Sequence, residues 1–240
     1  MTAPRTIMIV NPNTTASMTR AVLAGARSAA APATRLVGST AAHGVDSVES
    51  NTDEVYGALA VLDQVRAGEA AGVDGYVVAC FGDTGLAAAK ETARGPVVGM
   101  TEAALFTAAL IAARFSVVTL PPRTREQSHR VLRDTGLAHR ATVRAIEEPV
   151  AEVHDGSLHL LGAVAAEARA ALDADAAEAI VLGCAGLADL VGPLTELLNV
   201  PVVEGVAAAV TMAEGLLAQN LSTSRAATYA PPSRLGPVPA

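Results

Sequence analysis

Two stretches of the chain are near copies of each other. Asp74-Gly75-Tyr76-Val77-Val78-Ala79-Cys80 runs into Phe81-Gly82-Asp83-Thr84-Gly85-Leu86, and Glu178-Ala179-Ile180-Val181-Leu182-Gly183-Cys184 runs into Ala185-Gly186-Leu187-Ala188-Asp189-Leu190. Each is an acidic residue, an apolar run of strand length, a terminal cysteine and a glycine-containing turn that leads into a helix rich in alanine or leucine. A second phrase follows each at nearly the same interval: Pro96-Val97-Val98-Gly99 in one half, Pro201-Val202-Val203-Glu204 in the other. One insertion aligns the halves. The chain has 2 cysteines in all, so an internal duplication places one thiol from each half at a shared cleft.

The rest of the sequence fits that frame. In the first half, Ile7 to Val10, Thr34 to Val37, the Cys80 run and the Pro96 run read as strands, with helices over Ala16 to Ala30, Asp53 to Ala71, a stretch ending near Ala93, and Glu102 to Ala112. The second half repeats the order. Its strands are Phe115 to Thr119, Thr142 to Ile146, the Cys184 run and Pro201 to Val203, and its helices Thr124 to Asp134, Leu158 to Leu172 and Val206 to Ala218. Alternating strands and helices predict an α/β fold of two pseudo-symmetric lobes, each a parallel four-stranded sheet flanked by helices. Such sheets bind ligands beyond the carboxyl ends of their strands. The polar loops Asn11 to Thr15, Phe81 to Asp83, Leu120 to Arg123 and Ala185 to Gly186 fall at that end, as does each cysteine. From Ser222 the chain is proline-rich, and an extended or mobile arm is expected there.

Composition narrows the function. Aromatics make up only 2% of a chain that is 51% hydrophobic, so alanine, valine and leucine fill the core. A net charge of -7 without a Lys/Arg cluster removes the electrostatic footprint of a nucleic-acid binder. Neither a signal-peptide core nor an apolar run of the ~20 residues a bilayer requires is read in the sequence, so no membrane partner and a cytoplasmic location are expected. In a reducing compartment two cysteines are thiols, not a disulfide. Sparsely charged helices such as Glu102 to Ala112 and Val206 to Ala218 predict a homo-oligomer.

Matched thiols at strand ends suggest chemistry. A cysteine just before a helix feels its N-terminal partial positive charge, a setting that lowers a thiol from ~8.5 to between ~3.5 and 7.5. The histidines show no metal-ligand spacing, so neither a metal nor another cofactor is expected. The thiols are far apart in sequence, unlike the usual redox pair. Acid-base work from two sides fits better: racemisation at carbon needs a base on one face and an acid on the other, and two equivalent groups across a pseudo-two-fold axis supply both. A non-catalytic small-ligand binding protein of two lobes is the rival class.

Asn11-Pro12-Asn13-Thr14-Thr15, Ala79-Cys80-Phe81-Gly82-Asp83, Gly183-Cys184-Ala185-Gly186-Leu187 and Pro201-Val202-Val203-Glu204-Gly205-Val206 together resemble the signature segments of the hydantoin racemase family, within the aspartate/glutamate racemase superfamily. The similarity runs from Ile7 to Tyr229-Ala230-Pro231. Glutamate racemases typically follow the second cysteine with Thr-His, where this chain has Ala185-Gly186, and arylmalonate decarboxylases carry only one of the two cysteines. Thr84 stands where the family commonly has proline, a change expected to alter only a helix start.

The resemblance implies Cys80 and Cys184 as catalytic bases, a hydantoin-type small-molecule substrate, no cofactor, and a homo-oligomer. It implies that the last helix returns to the first lobe, so that residues 1–99 plus 206–240 form one lobe and 100–205 the other. Proton removal at C5 of the ring leaves a delocalised enolate that hydrogen bonds stabilise. The substrate contacts expected are Asn13, Val45, Phe81, Gly82, Thr119, Arg123, Ala185 and Gly186. Allantoin, itself a 5-substituted hydantoin, is the rival substrate, and an amino-acid racemase of the Asp/Glu type a more distant one.

Overall fold

Every strand pair among the described residues is parallel. The computed structural model describes residues 5–153 and 157–231. Among these, β1 (Arg5–Asn11), β2 (Thr34–Thr40), β3 (Gly75–Val78) and β4 (Val97–Gly99) form one sheet, and β5 (Phe115–Thr119), β6 (Ala141–Ala145), β7 (Ala179–Gly183) and β8 (Val202–Glu204) the other. The strand orders are β2-β1-β3-β4 and β6-β5-β7-β8, so the two halves share one topology. The α/β architecture read from the repeat is the observed one. β3, β5 and β7 are buried along their whole length, which is why they read as unbroken apolar runs and not as alternating ones.

The helices are α1 (Ala16–Ala29), α2 (Asn51–Ala70), α3 (Leu86–Thr92), α4 (Met100–Ile111), α5 (Arg125–Asp134), α6 (Leu161–Ala174), α7 (Val191–Leu198) and α8 (Gly205–Ala218). Short 3-10 turns at Pro122–Thr124, Leu158–Leu160 and Ala185–Leu190 stand where continuous α-helix or a simple turn was expected. α8 buries Val206, Ala209, Val210, Ala213 and Leu217, one face at helical spacing. It spends that face mainly on α4, α1, β3 and β4, and touches its own sheet, at β7 and β8, least. The tail is docked as far as it is described: Arg225 donates to the carbonyls of Ala93 (2.6 Å) and Lys90 (3.3 Å) at the end of α3. The Arg225 guanidinium takes carbonyls left free by the helix terminus, and Lys90 lies over the Tyr229 ring, so the tail from Arg225 to Tyr229 is held against α3. The tail beyond, with Pro232, Pro237 and Pro239, lies outside the described residues.

The halves cap the helix after their fourth strand in different ways. In the second half Glu204, at the end of β8, accepts from the N–H groups of Val206 (2.7 Å) and Ala207 (2.8 Å) at the start of α8. The matching residue of the first half is Gly99, and Asp83 reaches across from the Cys80 loop to accept from Thr101 (2.8 Å) and Glu102 (2.9 Å) of α4. A Cβ at position 99 would lie 2.4 Å from the Asp83 carboxyl carbon. The matching position to Asp83 in the second half is Leu187. Each half therefore keeps one carboxylate for the same donors, which a helix N-terminus leaves unpaired, and keeps it at a different position.

Candidate active site

In each sheet the central pair, β1/β3 or β5/β7, sends its following loops to opposite faces, and a crevice opens at the carboxyl ends. The two crevices face each other. Between them lies a narrow cavity of about 50 Å³ lined by Cys80 and Cys184, with Pro12, Asn13, Phe81, Thr119 and Ala185 of the loops already named. The duplication thus delivers both thiols to one space.

The Asn13 side chain is held by its neighbours. Asn11 Nδ2 (2.8 Å) and Thr15 N–H (3.0 Å) both donate to its Oδ1, while Asn11 Oδ1 accepts from Asn13 N–H (3.2 Å). Gln64 of α2 donates to the Asn11 carbonyl at 2.9 Å. With its oxygen occupied, Asn13 presents a fixed amide NH₂ at the cavity wall. Across the cavity, Thr119 Oγ1 donates to the Gly183 carbonyl at 2.9 Å and lies 3.2 Å from Thr124 Oγ1. Glycine is required at 183, because a Cβ would stand 2.6 Å from Thr119 Cβ. This close approach sets Cys184 against the end of β5.

Both thiols are protonated at rest. Burial pushes Cys80 up to about 12; the Thr84 hydroxyl, 3.4 Å from its sulfur, opposes this, and the charges of Asp83 and Cys184 add to it. Burial likewise pushes Cys184 up to about 11, against a hydrogen bond from Gly186 N–H. The thiolate expected from a helix N-terminus is not the resting state. α3 begins only at Leu86, and Cys184 precedes a 3-10 turn, so desolvation outweighs the small field of a helix end. Thr84, expected to change only a helix start, sits instead in contact with a cavity thiol.

Several expected contacts lie elsewhere. The Val45 carbonyl accepts from Thr14 N–H (2.9 Å), and Val48, one turn of loop further on, lines the cavity instead. Gly82 is spent: its N–H donates to Thr101 Oγ1 (2.7 Å) and its carbonyl accepts from Arg130 (3.0 Å). Arg123 lines a separate surface recess with Glu49 and Arg133. Gly186 packs under Val153 and Met18, with no room for a Cβ. By contrast, the N–H groups of Phe81 and Ala185, each just after a cysteine, have no hydrogen-bond partner among the described residues.

The wall also contains residues not singled out in the sequence: Met18, Val48, Val150, and Thr124, Gln127 and Ser128. The last three recur at i, i+3, i+4, a polar stripe on the buried face of the segment that becomes α5. That pattern was available in the sequence. Two contacts tie the second half to the first. Arg130 of α5 pairs with Glu54 of α2 at 2.6 and 3.0 Å, and Glu49 accepts from Val150 N–H at 3.1 Å. Among the described residues no group of three or more His, Cys, Asp or Glu side chains is placed to hold a metal ion.

Comparison with known proteins gives the same lineage along the whole chain. The family model for Asp/Glu/Hydantoin racemase matches residues 7–213. A hydantoin racemase of Rhizobium meliloti is 42% identical over 227 residues, covering 94% of this chain and 94% of that protein. The structure of an allantoin racemase from Klebsiella pneumoniae superposes with a TM-score of 0.94 at 42% identity, covering 98% of this chain and 96% of the other. The allantoin racemase from Pseudomonas fluorescens does so with 0.93 at 39% identity, covering 98% and 100%. The duplicated sheets, each of which brings a cysteine to the one cavity, therefore belong to a member of the Asp/Glu/Hydantoin racemase family.

Proposed function

We propose that this chain is a cofactor-independent racemase that interconverts the enantiomers of 5-monosubstituted hydantoins by moving a proton at C5 between Cys80 and Cys184. The observation that carries this reading is that one thiol from each half of the duplication lines the same narrow cavity. A planar enolate between two acids regains its proton from either face. In this reading the unpartnered N–H groups of Phe81 and Ala185 and the amide of Asn13 take the charge that develops on the ring oxygen. Both thiols start neutral, so turnover begins by ionising one. With Cys184 at about 11, releasing its proton to solvent at pH 8 costs ~4 kcal/mol, within what a preorganised site supplies.

The two allantoin racemase structures favour a second substrate of the same class, since allantoin has the same ring with a ureido group at C5. Either reading supports lobes of residues 1–99 plus 206–240 and 100–205, closing on the ring. A reducing, cytoplasmic setting suits a site that needs two free thiols. The apolar residues Phe106, Leu110 and Ile111 exposed on α4 support a homo-oligomer.

Polarimetry of an enantiopure 5-alkyl hydantoin and of allantoin in deuterated buffer tests the assignment. Rotation is lost as deuterium enters C5, without added cofactor. Cys80→Ser and Cys184→Ser each slow racemisation by ~10²- to 10⁴-fold, and each variant exchanges the proton of one enantiomer only, the two choosing opposite hands. Unchanged rotation with both rings refutes the racemase, and both variants exchanging the same enantiomer refutes the opposed thiols.

A further inference from the structure

Three polar side chains on the cavity wall have partners: Asn13 Oδ1 accepts from Asn11 and Thr15, the Thr119 hydroxyl has the Gly183 carbonyl, and Thr124 donates to the Pro121 carbonyl at 2.9 Å. The Gln127 amide and Asn13 Nδ2 make no bond within the described residues but are not wholly buried, and Ser128 is the wholly buried exception. It is 1% exposed, it belongs to the cavity wall, and its Oγ has no hydrogen-bond partner among the described residues. Gln64 Oε1 is the other buried side-chain atom without one, but its amide is committed below the Asn11 loop and Gln64 is not part of this wall. A buried hydroxyl without a partner is costly, and a fold keeps one where something else supplies the bond.

The wall is polar and apolar in different places. Thr119, Thr124, Gln127 and Ser128 come from β5, the turn after it and α5; Val48 and Val150 are apolar loop residues, and Pro12 is apolar beside the polar Asn13. Val48 and Val150 are neighbours through the bond from Val150 N–H to Glu49. A hydantoin ring is polar along its edge, with two carbonyls and two N–H groups, and an alkyl substituent at C5 is not. Fitting both at once sets the ring edge against α5 and the substituent against the valines.

Resting on the racemase reading above, we propose that Ser128 is a substrate-binding residue, its hydroxyl bonding to the polar edge of the ring common to every hydantoin and so directing the C5 substituent onto the Val48–Val150 wall. Its role is to bind and orient; the proton is moved by the thiols. Removing the hydroxyl then weakens binding of all such rings alike, and leaves the empty protein no less stable, because no bond within the protein is lost.

Steady-state racemisation of 5-isopropylhydantoin and of allantoin by the full chain and by Ser128→Ala, with thermal melts of both unliganded proteins, tests this. Expected is a five- to tenfold fall in kcat/KM for both rings, carried mainly by KM, with a melting temperature equal to or above that of the unaltered chain. A fall confined to allantoin overturns the inference, because the hydroxyl would then meet the ureido group. So does kcat/KM within twofold for both rings, or a lowered melting temperature, which would mark a structural role. Failure of the unaltered chain on both rings sinks the racemase reading itself, and this inference with it.

Discussion

Replacing Asp83 by asparagine should remove a pH dependence of stability that the fold carries beside Cys80. Asp83 is buried, and its carboxyl is pushed from an ordinary 3.8 up to about 7 by desolvation and then by Glu102, against the two α4 N–H groups that bond to it. Its proton is thus held more tightly in the folded chain than in the unfolded one. The associated stabilisation is complete below about pH 4 and is lost as pH rises through about 7. Three pH units at about 1.4 kcal/mol each amount to ~4 kcal/mol, of which ~2.5 kcal/mol falls between pH 5 and pH 8. Asparagine occupies the same space and never ionises. Urea unfolding of both proteins at pH 5 and pH 8 should show the unaltered chain losing ~2.5 kcal/mol more than Asp83→Asn across that interval. Every other ionisable group is common to both proteins and cancels. Asparagine also bonds less well to the Glu102 N–H, which offsets the two curves without changing their divergence. Parallel curves, or a divergence of the opposite sign, would show that the ionised carboxylate is a net stabilising cap and that the burial argument is wrong.

The resting thiols make a second prediction: alkylation of Cys80 by iodoacetamide should rise tenfold per pH unit from pH 7 to pH 10 without levelling, since its thiol is held at about 12. A plateau near neutral pH would refute the neutral resting state. Light scattering at micromolar concentration should give a mass that is a multiple of the 24.2 kDa chain; a monomer would refute the reading of the exposed α4 face.

What the sequence disclosed follows from what each feature depends on. Strands β3, β5 and β7 are buried on both faces, so their apolar runs are unbroken and their ends are marked by cysteine or threonine at the turn. The pairing of Cys80 with Cys184 was legible because duplication fixes equivalent positions without knowledge of distances. Val45 was expected on the cavity and Val48 is there instead: an irregular loop has no period, so nothing in it says which residue points inward. The Thr124, Gln127 and Ser128 stripe has helical period, but period alone does not say which face of a helix is covered. Its burial comes from the opposite half, through Arg130 and Gln127 against the Cys80 loop. Thiol protonation was misjudged for a related reason, since local position beside a turn is visible in sequence and desolvation by a distant segment is not.

The placement of α8 has a consequence for how the protein is made. In the order of synthesis β1 to β4 precede β5 to β8, yet the apolar face of Val206, Ala209, Val210, Ala213 and Leu217 that covers α1, β3 and β4 follows β8. The sheet that carries Cys184 has all its strands in hand once β8 is out, while the sheet that carries Cys80 still has a bare face. Vectorial synthesis therefore finishes the second-born half before the first-born one. A nascent chain stalled before Gly205 would hold an open, adhesive first sheet, and in living cells that intermediate is where chaperone capture would concentrate.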